Sequence, residues 1–320
     1  MDYRPSKLIS VSAIMRRLNK PVLLFLAVVI AGGLYAQFRA DTKLVVLHAS
    51  VADRKGKLLT NLKQNAFKVF ENSQPQQIKI FRREDVPVSL GIIIDDSGSM
   101  MTKRARVETA ALSLVRESNR EDEVFIVNFN DDWFLDVPFT SDIHKMETGI
   151  AKIDSRGGTA MRDAISASLD YMRENAKKDK KVLLIITDGN DNASNTSLEK
   201  IVARSNQTDT LVYAIGLFTE EEKREASKAK RALNELTATT GGVAFYPNDV
   251  SEVQSLAVEI ARDIRNQYII AYAPTIQELD GSYRSIKVTV DAPGKPVVRT
   301  RSGYYATPET RAKANTSGGQ

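Results

Sequence analysis

The sequence predicts an α/β fold: a doubly wound, mostly parallel sheet flanked by helices, with a small β-sandwich-like domain built from the N- and C-terminal flanks. Three observations predict it. Between Val88 and Asn266, short runs of Ile, Val and Leu alternate with helix-length amphipathic segments. Strands of that composition carry no polar face, so their sheet must be covered on both sides, as helical crossovers do in parallel sheets. On either side of this stretch the pattern changes to the two-residue alternation of half-buried strands.

Taken in chain order, residues 1–36 hold Arg4, Lys7, Arg16, Arg17 and Lys20 against Asp2, followed by the uncharged run Val22 to Ala36. A basic segment followed by an apolar core of about 15 residues reads as a secretory signal, with Ala36–Gln37 as the cleavage point, or as an uncleaved membrane anchor. Either reading puts the rest of the chain outside the cytoplasm, secreted, periplasmic or in the cell envelope. It also restricts membrane contact to this leader.

Residues 37–87 form the first β flank. Lys43 to Val51 is rich in β-formers and Asp53 to Lys57 supplies a turn. Phe67 to Glu71 and Gln77 to Phe81 alternate about Asn72-Ser73-Gln74-Pro75 and are expected to pair as a hairpin. Residues 88–266 carry the α/β domain. Its expected strands are Leu90 to Ile94, Val124 to Phe129, Val182 to Ile186 and Leu211 to Ile215. Its expected helices are Arg104 to Ser118, Ala160 to Glu174, Leu198 to Ser205, Glu221 to Thr239 and Val253 to Arg265. In residues 267–305 the β pattern returns at Tyr268 to Tyr272, Tyr283 to Val290 and Pro296 to Tyr305. Neither flank alone has strands enough to bury a face, so the two are expected to combine, with the α/β domain inserted between them. Residues 306–320 lack any apolar run and are expected to be a disordered tail.

Charge and composition exclude several classes of function. The chain has 45 Lys and Arg against 40 Asp and Glu, but the leader takes five of the former and one of the latter. The remaining 40 against 39 give no electrostatic case for nucleic acid. With no cysteine there is no disulfide, thiolate zinc site or cysteine nucleophile. Only His48 and His144 are present, which excludes a histidine-rich metal site. His48 falls in an apolar strand pattern and is expected to be structural.

The chemistry-bearing residues stand where strands end. Leu90-Gly91-Ile92-Ile93-Ile94 runs into Asp95-Asp96-Ser97-Gly98-Ser99. Ligands of open parallel sheets bind beyond the carboxyl ends of strands. In that loop Asp95, Ser97 and Ser99 alternate, so one carboxylate and two hydroxyls can converge. Gly157-Gly158-Thr159 opens a predicted helix, and Ile185-Ile186-Thr187-Asp188-Gly189 brings a second carboxylate to a strand end. Two carboxylates and three hydroxyls are hard oxygen donors suited to Mg2+ or Mn2+, with Ca2+ a poorer fit. Neutral hydroxyl ligands leave such an ion with residual positive charge and room for a carboxylate from outside.

Asp95-x-Ser97-x-Ser99, Thr159 and Asp188 resemble the metal-ion-dependent adhesion site (MIDAS) of the von Willebrand factor A (VWA) family in order, spacing and strand context. The resemblance covers about Val88 to Asn266 and implies a Rossmann-like fold. It also implies a metal site of Asp95, Ser97, Ser99, Thr159 and Asp188, and a protein partner that presents Asp or Glu. Phe67 to Phe81, Gln267-Tyr268 and Arg299-Thr300-Arg301-Ser302-Gly303-Tyr304-Tyr305 further resemble proteins described as von Willebrand factor A-related in the Acidobacteria.

Three functions compete: a metal-dependent protein-binding module for adhesion or scaffolding, an envelope protein whose metal only stabilises the fold, and a metal-dependent phosphotransferase. Ser97 stands where an aspartyl phosphotransferase needs a second Asp, and no phosphate-binding loop or nucleophile elbow occurs. The reading is therefore a non-enzyme. Around the site, Asp96 and Asp163 stand near the ligand loops and can add field or hydrogen bonds there, Asp163 equally being read as a plain polar helix residue one turn after Thr159. The loop Asp131-Asp132-Trp133 lies at a strand end, and Trp133 is assigned to core packing ahead of a binding face. Lys103 and Arg104 are expected to be solvated.

Overall fold

A computed structural model of the chain describes residues 44–307, apart from 118, 152–154, 190 and 219–222. The leader and the tail beyond residue 307 lie outside the described residues. Among these residues, no helix is long and apolar enough to cross a membrane.

Four strands come first: β1 (Val45–Ala52), β2 (Phe67–Glu71), β3 (Gln74–Gln76) and β4 (Ile78–Arg82). The α/β part opens with β5 (Val88–Asp95), α1 (Arg104–Arg116), β6 (Glu123–Phe129), β7 (Trp133–Thr140), α2 (Ile143–Ile150) and α3 (Met161–Asn175). It continues with β8 (Lys180–Thr187), α4 (Leu198–Thr208), β9 (Thr210–Gly216), α5 (Lys223–Thr240), β10 (Ala244–Phe245) and α6 (Val253–Arg265). Four more strands follow: β11 (Tyr268–Tyr272), β12 (Tyr283–Val290), β13 (Val297–Arg299) and β14 (Gly303–Tyr305).

The central sheet has the order β10-β9-β8-β5-β6-β7 and is parallel except for β7, which pairs antiparallel with β6. Every residue of β5, β6 and β9 is buried. Leu90, Ile92 and Ile94 pack with α1, α2 and α6 on one face, while Ile93 packs with α3, α4 and α5 on the other. The sheet is thus doubly wound, as the apolar strands require. Gly91 sits on the second face, where a Cβ would run into the Phe125 ring and the Leu183 side chain. The missing side chain lets Phe125 reach Phe139 and Tyr171, with ring centroids 4.9 Å away in each case.

The flanking strands form two antiparallel sheets, β13-β1-β11-β4 and β14-β12-β2-β3. Val45, Leu47 and Ile270 of the first share a core with Phe67, Val69, Val288 and Tyr304 of the second. Buried among them, the Glu71 carboxylate accepts hydrogen bonds from the hydroxyls of Tyr272 (2.7 Å) and Tyr304 (3.0 Å) and lies 3.6 Å from the Arg284 guanidinium.

This sandwich is joined to the α/β part by polar contacts from its last strands. Arg301 pairs with Asp209 just after α4 and donates to the Asn206 carbonyl (2.8 Å). Arg299 donates to Asp263 of α6 (2.7 Å), whose carboxylate also receives the Tyr213 hydroxyl (2.8 Å). Gln267 completes the seam, donating to Tyr213 (3.0 Å) and Ser50 (3.3 Å).

Two local expectations are corrected. The predicted hairpin of Phe67–Glu71 with Gln77–Phe81 is shorter: Asn72 and Ser73 turn with φ of 47° and 67°, and only Gln74–Gln76 pairs back onto β2. The apolar alternation of Ile78 and Ile80 belongs to β4, which crosses to β11 in the other sheet. Alternation marks a half-buried strand but does not say which sheet it joins. Trp133 is not in the core: it is 43% exposed at the start of β7, with Phe134 and Leu135 exposed beside it. As an edge strand, β7 has only one neighbour to cover it, and its Pro138 fits that position.

His48 of β1 has its Nδ1 buried without a hydrogen-bond partner among the described residues. Burial, with repulsion from Lys180 and Arg301, pushes its pKa down to about 3 from 6.5. The unfolded chain therefore takes up a proton near pH 6.5 that the folded chain accepts only near pH 3. Stability should fall as pH drops through that window, by about 1–2 kcal/mol from this residue once residual solvent contact is allowed for. Urea unfolding of a His48→Gln variant should show a shallower acid limb than the parent. Parallel pH profiles would assign the limb to other groups.

Candidate metal centre

The site is built at the carboxyl ends of the two innermost strands. β5 ends in Asp95 and β8 in Thr187, and the adjacent register brings these ends side by side. The Asp95 carboxylate is fully buried. Its Oδ2 accepts from the Thr187 hydroxyl (2.5 Å) and its Oδ1 from the Ser97 backbone N–H (2.9 Å). Burial raises its pKa to about 6 against the lowering effect of the Ser97 and Thr187 hydrogen bonds, with the Asp188 charge adding to the rise. This carboxylate is therefore desolvated and its two oxygens are positioned by the backbone and by the neighbouring strand.

After Asp95 the chain makes one 3-10 turn, Gly98–Met100, before α1. The turn places the Ser97 and Ser99 hydroxyls 3.1 Å apart, and Ser99 donates to Asp188 Oδ1 (2.7 Å). Ser97, Ser99 and Asp188 thus form one continuous chain of hard oxygen atoms. Thr159 approaches from a third loop. Its backbone is fixed by Asn192, which accepts from the Thr159 N–H (2.9 Å) and returns its own N–H to the Thr159 carbonyl (3.1 Å). A Cβ on Gly189 would lie 3.3 Å from Thr159 Oγ1 and 4.0 Å from Asp95 Oδ2. Because residue 189 is glycine, no side chain fills the space which those two oxygens border. All five residues expected from the sequence are therefore gathered at one end of the sheet.

The loops hold one another in place. Asp96 accepts the Ser155 N–H in a short contact, and its carbonyl takes the Arg156 N–H (2.9 Å). Gly98 N–H donates to the Gly157 carbonyl (3.2 Å), and Asp131 Oδ1 accepts from Gly158 N–H (2.7 Å). Asp163 caps the backbone of Asn195 (2.8 Å) and Thr196 (2.9 Å), so it orders the loop after Asp188 and stays outside the oxygen cluster. Next to the site, an open cleft of about 390 Å³ is lined by Asp131, Asp132, Trp133, Asp163 and Asp170 among others.

Sequence reasoning missed Thr187 and Lys103. Thr187 could have been noticed as the hydroxyl preceding Asp188 on a buried strand. Lys103, expected to be solvated, has a side chain only 13% exposed, and its ammonium pairs with Asp188 Oδ2 in a short contact. Nothing in the local sequence marks it, since the contact spans 85 positions. Arg104 is the more solvated of the two and pairs with Glu108 one turn along α1 (2.8 Å).

Residues 90–190 match the family model of the von Willebrand factor type A domain, a stretch that includes all five candidate ligands. No curated protein matches the chain. Among solved structures, it is similar to a von Willebrand factor type A protein from Catenulispora acidiphila, with 12% identity and a TM-score of 0.50, over 85% of this chain and 76% of that one. It is also similar to an aerotolerance-related membrane protein from Bacteroides fragilis, with 18% identity and a TM-score of 0.45, over 55% and 98% of the two chains. Proximal thread matrix protein 1 of the mussel byssus, with a zinc-occupied MIDAS motif, is 18% identical over 57% of this chain and 49% of that chain, with a TM-score of 0.45. These likenesses concern the fold.

Presentation of Thr159 depends on Gly157, whose φ is +73° and where a Cβ would collide with the Asp131 carboxylate. Gly157→Ala should cost about 1–2 kcal/mol in urea unfolding, because alanine is strained at positive φ and Asp131 must give up its place. A loss below about 0.5 kcal/mol, within the range of an ordinary surface change, would show that the loop readjusts freely.

Proposed function

We propose that the chain is an extracytoplasmic, non-enzymatic protein-binding module for adhesion or scaffolding. In it, Asp95, Ser97, Ser99, Thr159 and Asp188 hold a divalent cation that receives an Asp or Glu carboxylate of a partner protein. The observation that carries this reading is the unbroken oxygen chain Ser97–Ser99–Asp188, set beside Thr159 and Asp95 around Gly189. The donor set fits such an ion: every candidate ligand atom is a hard oxygen, two of the five residues are carboxylates, and no side chain of residue 189 fills the space bordered by Thr159 Oγ1 and Asp95 Oδ2. Mg2+ is the preferred ion on these grounds, with Mn2+ close to it and Ca2+ behind.

When bound, the cation would supply a Lewis-acidic position open to an incoming carboxylate. The protein's own part is to orient and desolvate. Thr187 and the Ser97 N–H hold the Asp95 carboxylate, Asp96 and Asp131 stitch the loops together, and Asn192 fixes the backbone of Thr159. Binding is favoured over catalysis because Ser97 stands where an aspartyl phosphotransferase needs a second Asp, and the sequence holds no phosphate-binding loop.

Placement outside the cytoplasm rests on the basic and apolar leader of residues 1–36. We assign residues 88–266 to the metal-binding domain. Residues 37–87 and 267–305 are the two halves of a β domain that presents it, a division supported by sheets that draw strands from both flanks.

Affinity capture from an envelope extract tests the reading. A partner should be retained in Mg2+ and lost in EDTA, and both Asp188→Ala and Ser97→Ala should lose it while keeping the far-ultraviolet circular dichroism of the parent. Ser97→Ala is the cleaner variant, since it removes one hydroxyl and leaves the buried Lys103–Asp188 pair in place. Capture that is equal with and without Mg2+ would reduce the cation to a structural role and move the binding face elsewhere.

A further inference from the structure

We infer that Lys103 is an intrachain competitor for the metal centre: its ammonium must release Asp188 before that carboxylate can serve a divalent cation, so Lys103 sets the affinity of the site. The inference rests on the metal-binding reading above and adds a residue to it. Asp188 is wholly buried at its side chain, and its two oxygens are shared between Ser99 and Lys103. A desolvated carboxylate needs a compensating charge or strong donors, and here the compensating charge is the chain's own. An ammonium within contact of a ligand oxygen opposes a second cation at short range, where the partly buried surroundings screen the repulsion far less than water does.

The position of Lys103 in the backbone supports a specific purpose. It is the N-cap of α1, where its carbonyl accepts from Arg106 N–H (3.1 Å) and Val107 N–H (3.2 Å). Its own N–H donates to the Met100 carbonyl (2.9 Å) of the turn that carries Ser99. Lysine is a poor N-cap: it offers no acceptor to the free N–H groups, and its charge opposes the positive end of the helix dipole. The first turn of α1 has no acidic residue to offset this, while Arg104 and Arg106 add further positive charge. What the position contributes is reach, because the turn between Ser99 and the helix aims the stem back at Asp188.

The competitor role predicts a gain from a loss: removing the ammonium should tighten metal binding. Mn2+ is the probe, titrated into the purified full chain and followed by the electron paramagnetic resonance of the free ion. Lys103→Met should bind Mn2+ about tenfold or more tightly than the parent, the scale of one close, partly desolvated charge. Lys103→Arg, which keeps the charge, should stay within about threefold of the parent. Arg104→Gln, which changes net charge equally but touches no ligand, should also stay within that range, as expected of a screened surface charge. Thermal melts should show the metal-free Lys103→Met protein less stable than the parent and more strongly raised by Mn2+. If Lys103→Met fails to fold, Lys103→Gln serves the same comparison with a polar end that can still meet Asp188.

The outcomes separate the two readings. If the parent and Lys103→Met bind Mn2+ equally while Asp188→Ala does not bind, the metal centre stands and Lys103 is only a structural ion pair. If Arg104→Gln gains as much as Lys103→Met, the effect is general charge and the competitor role is wrong. If no protein in the set binds Mn2+, the metal reading fails and this inference falls with it.

Discussion

The Asp95–Thr187 hydrogen bond is the constraint on which the rest of the site depends. It joins the ends of the two innermost strands and holds a carboxylate that would otherwise be buried without adequate partners. Desolvation favours the protonated form of the Asp95 carboxylate, and the hydrogen bonds from Ser97 and Thr187 oppose it. With Asp95 held, the chain leaves β5 in a fixed direction. The next turn places two serine hydroxyls in line with Asp188, which leaves β8 from the neighbouring position. The geometry of the oxygen cluster is therefore a consequence of strand adjacency more than of the loops themselves.

Strand adjacency is in turn enforced by burial. Each of β5, β6 and β9 is sealed on both faces, so a slip of one residue would exchange the faces presented to the two helix layers and expose no better alternative. Gly91 sharpens the register, since only a residue without a side chain lets Phe125 and Leu183 close over it. On the far side of the α/β part, Arg299 and Arg301 tie the sandwich to α6 and to the end of α4 through buried or half-buried ion pairs. Breaking either would leave a poorly solvated charge behind, so both favour one arrangement of sandwich against sheet.

Lys103 shows how a charge that looks incidental in sequence acquires a chemical role. Its cost as a helix N-cap and its pairing with the buried Asp188 carboxylate belong to one compromise. The positive charge that disfavours the helix start also compensates the buried Asp188 carboxylate, and the proposed competition with a divalent cation rests on that pairing.

Much of this was legible in the sequence. The alternation of all-apolar strands with amphipathic helices determined a doubly wound sheet, because neither element can bury its apolar surface in another arrangement. The strand-end positions of Asp95 and Asp188, together with the Ser97 and Ser99 spacing and the Gly157-Gly158-Thr159 helix start, marked the residues that gather at the site. Those features are local, and local backbone preference determines them. Other features were decided by tertiary structure. β4 left its expected hairpin partner for β11, Trp133 came to the surface on an edge strand, and Lys103 turned inward to Asp188. Each depends on which distant segment lies alongside, and periodicity records only that a face is apolar or polar, not which neighbour will cover it.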